Sequence, residues 1–175
     1  MRDFRAYLTE LFDSPFTLVR VKEKKLFMGS IVTYFYKMDP ALQHKDSRND
    51  RKNSVTVNFQ SFGDDPNGQT WEVDFIRGGA ATLTGQGQAE RVFATALDAI
   101  RRFVGEYNPE VLMFTAAKEE MRMSDLSKRK GSRISLYKAI IRRYAPRMGY
   151  EMISSDKQHV NGGEEHVFIL KKVKP

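Results

Sequence analysis

The stretch TWEVDFIRGGAATLTGQGQAERVFATALDAIRRFVGEYNPEVLMFTA, residues 70–116, decides the fold class of this 175-residue chain. Apolar and polar side chains alternate at its start, which predicts a strand over residues 70–77 with one buried face. A glycine-rich turn follows, and a core-facing helix is predicted to start near Gln88 and to be closed by Gly105 and Asn108-Pro109. The apolar run VLMFTA, residues 111–116, predicts a central buried strand. The apolar face of the helix consists of Ala89, Phe93, Ala96, Leu97 and Ile100.

Further strands are predicted before this unit. Runs rich in Val, Ile, Phe and Tyr cover residues 16–22 and 26–37, with a turn expected at Glu23-Lys24-Lys25. Residues 54–62 alternate and are expected to form an antiparallel hairpin with the strand at 70–77. An amphipathic helix is predicted over residues 3–12.

After the unit, a second helix is predicted over residues 132–145, where Pro146 and Gly149 end it. A final hairpin has predicted strands at 149–155 and 165–172. Together the elements predict an α+β fold with a mixed, mostly antiparallel sheet and flanking helices. The length indicates a single domain, residues 1–175.

The composition excludes several classes of site. The chain has no cysteine, which excludes disulfides, thiolate metal sites and a cysteine nucleophile. No metal-ligand cluster, Walker loop or Ser-His-Asp arrangement is visible, so we expect no metal. The amino-terminal segment lacks the apolar region of a signal peptide, and no stretch is long enough to span a membrane. We therefore expect a cytoplasmic protein without membrane contact.

Positive charge is concentrated in the second part of the chain. Residues 1–100 carry 13 Lys/Arg and 13 Asp/Glu, whereas residues 101–175 carry 16 and 9. One-sided basic charge favours polyanionic partners, although a solvated face explains it equally well. The candidate polyanion-binding residues are Lys128, Arg129, Lys130, Arg133, Lys138, Arg142 and Arg143.

Residues 70–172 resemble the core of the GNAT acyltransferases. In that family a strand leads into an Arg/Gln-x-x-Gly-x-Gly/Ala turn that opens a helix, and TLTGQG at residues 82–87 matches both glycines. Thr82 departs from the pattern, and residues 1–69 differ from the usual layout of the family. The resemblance implies acetyl-CoA as the cofactor, with its pyrophosphate held by backbone amides at a helix start. The residues concerned are Gly85, Gln86, Gly87, Gln88 and Ala89.

The resemblance also implies an acid and a base for transfer to an amine. Glu72 or Asp74 would assist deprotonation of the amine, although both carboxylates are more simply explained as facing solvent. Tyr137 or Tyr144 would protonate the departing thiolate. Their spacing of seven residues equally fits a core stripe.

A second hypothesis is a non-catalytic module of the same fold. The segments LTELFDSP, TGQGQAERVFATALDAI and SRISLYKAIIRRYA are similar to uncharacterised proteins of tailed bacteriophages. Such a phage-encoded module would act in the host cytoplasm and bind a host protein or nucleic acid through its basic carboxyl-terminal half. The sequence leaves the acceptor and the oligomeric state open.

Overall fold

A computed structural model describes residues 14–39, 54–61, 70–77, 89–117, 138, 141–160 and 163–174. These residues form seven strands and one long helix, α1, with one further helical segment at 141–144. The strands are β1 Thr17–Leu26, β2 Gly29–Lys37, β3 Ser54–Ser61, β4 Thr70–Arg77, β5 Val111–Ala117, β6 Tyr150–Val160 and β7 Gly163–Lys172, and α1 is Ala89–Tyr107. The predicted helix at 3–12 and the turn after β3 lie outside the described residues.

The strands form one mixed sheet in the order β1-β2-β3-β4-β5-β7-β6. Pairs β1/β2, β2/β3, β5/β7 and β6/β7 are antiparallel, whereas β4 and β5 are parallel. The register of the parallel pair runs from Thr70↔Val111 to Val73↔Phe114. A parallel pair requires a crossover connection, and α1 lies between β4 and β5 in the chain. The predicted α+β class and its mixed, mostly antiparallel sheet are therefore confirmed.

The chain divides into two compact units. Residues 1–60 and 74–108 form the first unit, and residues 61–73 and 109–175 form the second. In the first unit, α1 packs on one face of β1–β3. Its core includes the predicted helix residues Phe93, Ala96, Leu97 and Ile100, together with Tyr34, Tyr36, Val55, Val57, Phe59 and Phe103.

The first hairpin turns later than the sequence predicted. Residues 23–25 belong to β1, and Leu26 pairs with Gly29, so the turn is Phe27-Met28. Gly29 has a φ of 115°, a conformation that favours glycine. The prediction at Glu23-Lys24-Lys25 was wrong because β1 is an exposed edge strand, where charged side chains are common.

The end of α1 also differs from the prediction. The helix continues through Gly105, which is exposed, and stops at Tyr107. Asn108 then adopts a φ of 49°, the left-handed conformation that asparagine tolerates. The sequence therefore placed the Asn108-Pro109 stop correctly but gave Gly105 a role that it does not have.

In the second unit, β5, β7 and β6 form an antiparallel array. The buried side chains of this array and of the adjacent helical residues include Leu112, Phe114, Ile141, Tyr144, Tyr150, Phe168 and Leu170. A 3-10 turn, Pro146–Met148, ends the helical segment at 141–144, and Gly149 follows at a φ of 78°. The predicted Pro146 and Gly149 stop is thereby confirmed. Strands β6 and β7 are longer than predicted, because Val160 pairs with Gly163 and only two residues connect them.

Candidate functional site

Helix α1 is fixed to its sheet by hydrogen bonds between residues distant in sequence. The hydroxyl of Thr95, a fully buried residue, accepts the backbone N–H of Phe16 at 2.9 Å and donates to the Arg91 carbonyl at 2.7 Å. The Tyr36 hydroxyl donates to Asp98 Oδ2 at 2.9 Å. These bonds hold the first half of α1 in place and so determine where its amino end lies within the first unit.

The amino end of α1 coincides with the predicted phosphate-binding turn. Ala89 is the first described residue of α1, and Gly85–Gln88, which precede it in the sequence, lie outside the described residues. The first four N–H groups of any α-helix have no acceptor within the helix, and the helix dipole adds a partial positive charge there. A helix start in this part of the chain would offer the donors that a pyrophosphate requires, and the pyrophosphate-binding role of residues 85–89 stays a prediction.

Arg91, in the first turn of α1, is engaged elsewhere. Its guanidinium forms an ion pair with Asp39 at 2.5 Å, donates to the Ser14 carbonyl at 3.2 Å, and lies 4.5 Å from the centroid of the Phe16 ring. This guanidinium is committed to the protein itself. It is therefore not available as a phosphate-binding side chain.

The two candidate bases lie on β4 in different surroundings. Glu72 is half-buried, and its Oε1 accepts a hydrogen bond from Thr115 Oγ1 of β5 at 3.0 Å. Asp74, two residues later, is exposed. The parallel register pairs Glu72 with Met113, so Thr115 reaches it diagonally across the strand pair. The structure therefore gives Glu72 a fixed orientation.

The described candidate acid is a core residue. Tyr144 is 5% exposed, and the guanidinium groups of Arg143 and Arg147 lie 5.6 and 5.9 Å from its ring centroid. Tyr137 lies outside the described residues. Burial raises the pKa of the neighbouring Tyr150 to about 12, and its hydroxyl donates to the Pro109 carbonyl. The proton-donor role of Tyr144 stays a prediction.

Part of the predicted basic surface is described. Lys138 and Arg143 are half-exposed and Arg142 is exposed, all in or next to the helical residues 141–144. Lys128, Arg129, Lys130 and Arg133 lie outside the described residues. A polyanion-binding role for this set remains a prediction.

A buried histidine was not among the predicted site residues. His166 is 6% exposed, stacks on Phe168 with centroids 4.5 Å apart, and shares a hydrogen bond with Ser155 Oγ through Nε2 at 2.8 Å. Within the described residues, its Nδ1 has no hydrogen-bond partner. Burial lowers the pKa of His166 below its usual 6.5, and the nearby Lys138 and Lys157 add to this effect.

Two negative findings apply to the described residues alone. No helix among them is long and apolar enough to cross a membrane. No group of three His, Asp or Glu side chains in this part of the chain is arranged to hold a metal ion.

Comparison with known proteins gives a loose likeness of architecture to N-acetyltransferases. No protein-family model and no curated protein matches the sequence. Solved structures that resemble the chain include spermidine/spermine N-acetyltransferase from Vibrio cholerae, in complex with manganese ions. The TM-score is 0.42 and the identity 13%, over 82% of this chain and 65% of that one. The chain thus spans less than two thirds of that enzyme.

Two further structures give similar values. A protein assigned as a phosphinothricin N-acetyltransferase aligns with a TM-score of 0.43 and 13% identity, over 86% of this chain and 72% of that one. A Desulfovibrio desulfuricans protein assigned to the GNAT acetyltransferase family aligns with a TM-score of 0.39 and 11% identity, over 81% and 68%. At this level of similarity, any functional hypothesis has to rest on the residues of the chain itself.

Proposed function

We propose that the chain is a GNAT-like acyltransferase that moves an acetyl or related acyl group from coenzyme A to an amine. The observation that carries the proposal is the start of α1. This helix lies in the connection between the parallel strands β4 and β5, and its described part begins at Ala89, which follows Gly85-Gln86-Gly87-Gln88 in the sequence. Glycines before a helix start allow a phosphate to approach the free N–H groups closely.

The residues present fit such a ligand. The backbone amides of residues 85–89 would hold the pyrophosphate, since Arg91 is already paired with Asp39. Acetyl-CoA, when bound, supplies an acyl group activated as a thioester. The anchoring of α1 through Thr95 and Tyr36 supports the proposal, because a phosphate cradle made of backbone amides requires a helix end that does not shift.

The chemistry would require one base and one acid from the chain. The amine nitrogen forms the new amide bond as the carbon–sulfur bond breaks. Glu72 or Asp74 takes the proton that the amine loses, and Tyr137 or Tyr144 supplies a proton to the sulfur. Of the two carboxylates, we favour Glu72, because its hydrogen bond from Thr115 orients it.

A second candidate function is a non-catalytic module of the same fold. Burial of the described candidate acid favours it, because Tyr144 is 5% exposed beneath two guanidinium groups. In this alternative the basic carboxyl-terminal half, including Lys138, Arg142 and Arg143, binds a host protein or nucleic acid. Binding that disappears at moderate salt would indicate phosphate contacts.

The double substitution Gly85→Val/Gly87→Val tests the leading proposal. We expect it to abolish binding of coenzyme A in calorimetry while the thermal unfolding of the chain stays unchanged. Gly105→Ala is the matched control, because Gly105 is an exposed α1 residue whose added Cβ would meet nothing within 4 Å. Unchanged coenzyme A binding in the double variant would contradict the proposal.

A further inference from the structure

One face of the first unit carries a row of positive charges. Arg20, Lys22 and Lys24 alternate along β1, and Lys37 ends β2; all four side chains are exposed. The register places these residues beside Phe35, Thr33, Ile31 and Ser54, on the sheet face opposite α1. We call this surface the cationic face.

The cationic face is free of carboxylates within β1, β2 and β3. The acidic residue of these three strands is Glu23, which pairs with the buried Val32 and therefore lies on the α1 side of the sheet. Its Oε2 accepts a hydrogen bond from the Tyr107 hydroxyl of α1 at 3.4 Å. The carboxylate of these strands thus lies on the opposite face, together with Lys25, which pairs with Ser30, whereas residues 1–100 as a whole carry equal numbers of acidic and basic residues.

Polar and aromatic groups lie among the cations. The Arg20 guanidinium is 4.6 Å from the centroid of the Phe35 ring, and Lys22 Nζ is 6.0 Å from it. Cation–π contact at these distances gives both side chains a preferred position. On the neighbouring strand the Thr33 hydroxyl donates to Asn58 Oδ1 at 3.0 Å. The face therefore offers an ordered guanidinium plane and side-chain amide and hydroxyl groups beside its cations.

An exposed aromatic residue stands at the end of the same hairpin. Phe27, at the turn between β1 and β2, is fully exposed, and its neighbour Met28 is 60% exposed. Exposed aromatic rings and guanidinium planes are the groups on which proteins stack unpaired bases. A single exposed apolar residue needs no explanation, but here it lies at the end of a row of cations.

We propose that the cationic face and Phe27 form a binding surface for single-stranded nucleic acid. Successive side chains on one face of a strand are roughly 6.6 Å apart, so the row on β1 suits an extended polyanion. Lys22, Lys24 and Lys37 contact phosphates, while bases stack on Phe27 and on the Arg20 guanidinium. This surface is separate from the start of α1, so the proposal goes beyond the acyltransferase function.

Charge and distance disfavour two other occupants. Arg20 is seven residues from Phe27, so a hairpin that entered a bilayer tip-first would hold Arg20 roughly 23 Å from its inserted tip. That is well beyond the Debye length of about 8 Å at physiological salt. Pairing of two β1 edges from two copies would bring together strands that each carry four cations and one carboxylate, which is repulsive.

The experiment measures fluorescence anisotropy of a labelled oligodeoxythymidine with the full chain across a salt series. The three phosphate contacts predict that log Kobs falls with log salt at a slope of about −2.1. The double variant Lys22→Gln/Lys24→Gln should reduce the slope to about −0.7. Phe27→Ser should weaken binding by about 5- to 150-fold at an unchanged slope, because stacking involves no counterion.

Lys171→Gln/Lys174→Gln is the control, since it removes the same charge from exposed positions at the carboxyl-terminal end. We expect its salt slope to equal that of the unmodified chain, and all variants to unfold at the same temperature. Three results would overturn the proposal: no binding at low salt, a slope reduced as much by the control as by the β1 variant, or binding to phosphatidylserine vesicles without binding to the oligonucleotide.

Discussion

Two tyrosines on β2 provide a stringent test of how α1 is held. Tyr34 and Tyr36 are both buried, at 1% and 0% exposed, and each hydroxyl donates to a carboxylate on α1. The Tyr36 bond to Asp98 is 2.9 Å long, whereas the Tyr34 bond to Glu106 is 3.5 Å long. O–H···O hydrogen bonds weaken at such length. Replacement of either tyrosine by phenylalanine removes one hydroxyl group from β2. The two variants therefore differ mainly in the length of the hydrogen bond that is lost.

The structure sets the expected magnitudes. A hydrogen bond to a charged group contributes about 1.5–3 kcal/mol. After Tyr36→Phe, Asp98 keeps its ion pair with Arg102 at 2.7 Å, so no charge is left without a partner. We therefore expect a loss of about 1.5–2 kcal/mol for Tyr36→Phe and about 0.5 kcal/mol or less for Tyr34→Phe.

Urea denaturation followed by circular dichroism measures both losses. The slope of unfolding free energy against denaturant must stay constant for the comparison to hold. Addition of Asp98→Ala in a double-mutant cycle isolates the Tyr36–Asp98 pair, for which we expect a coupling of about 1–2 kcal/mol. A larger loss for Tyr34→Phe than for Tyr36→Phe would refute the account of how α1 is anchored.

Three further outcomes follow from the described residues. Phe103→Ala removes a fully buried ring that stacks 3.9 Å from Phe59, and should destabilise the chain by about 3–5 kcal/mol in denaturant unfolding. An added Cβ meets no atom within 4 Å at either Gly149 or Gly105, so the two substitutions differ in backbone conformation alone. Gly149→Ala should lower the melting temperature because Gly149 has a φ of 78°, whereas Gly105→Ala, within the helix, should raise it. The pKa of His166 is lower in the folded chain than its usual 6.5, so the free energy of unfolding should fall as the pH drops below that value. The variant His166→Phe should show a smaller fall. An identical pH profile for the variant and the unmodified chain would contradict this expectation.

The sequence predicted elements well where one local pattern decided the outcome. The alternation in residues 54–61 and 70–74 identified the buried side chains of β3 and β4, and the helical spacing identified the core face of α1. Charge was a poorer guide. The polar run Glu23-Lys24-Lys25 predicts a turn, but an edge strand exposes both faces and accepts the same residues.

The contacts that build the candidate site were beyond the sequence. Tyr36 and Asp98 are 62 residues apart in the sequence. The periodicity of the sequence indicates that each lies between β2 and α1, but it does not identify which residue pairs with which. The Ser155–His166 pair depends on the β6/β7 register, in which Lys157 pairs with His166. The predicted strands end at residue 155 and begin again at residue 165, so the sequence did not predict which residues of β6 and β7 pair. The predicted glycine turn lies outside the described residues and stays a prediction, and α1 is described from Ala89, next to the helix start predicted near Gln88.

Titration of acetyl-CoA into the full chain by calorimetry, with free coenzyme A alongside, tests the central claim most directly. The account predicts a single site of micromolar affinity for both ligands, because the backbone amides at the start of α1 would hold the pyrophosphate that they share. Loss of that binding in Gly85→Val/Gly87→Val, and its retention in Gly105→Ala, would locate the site. An absence of heat at millimolar ligand would contradict the acyltransferase proposal and leave the glycine turn as a connection between β4 and α1.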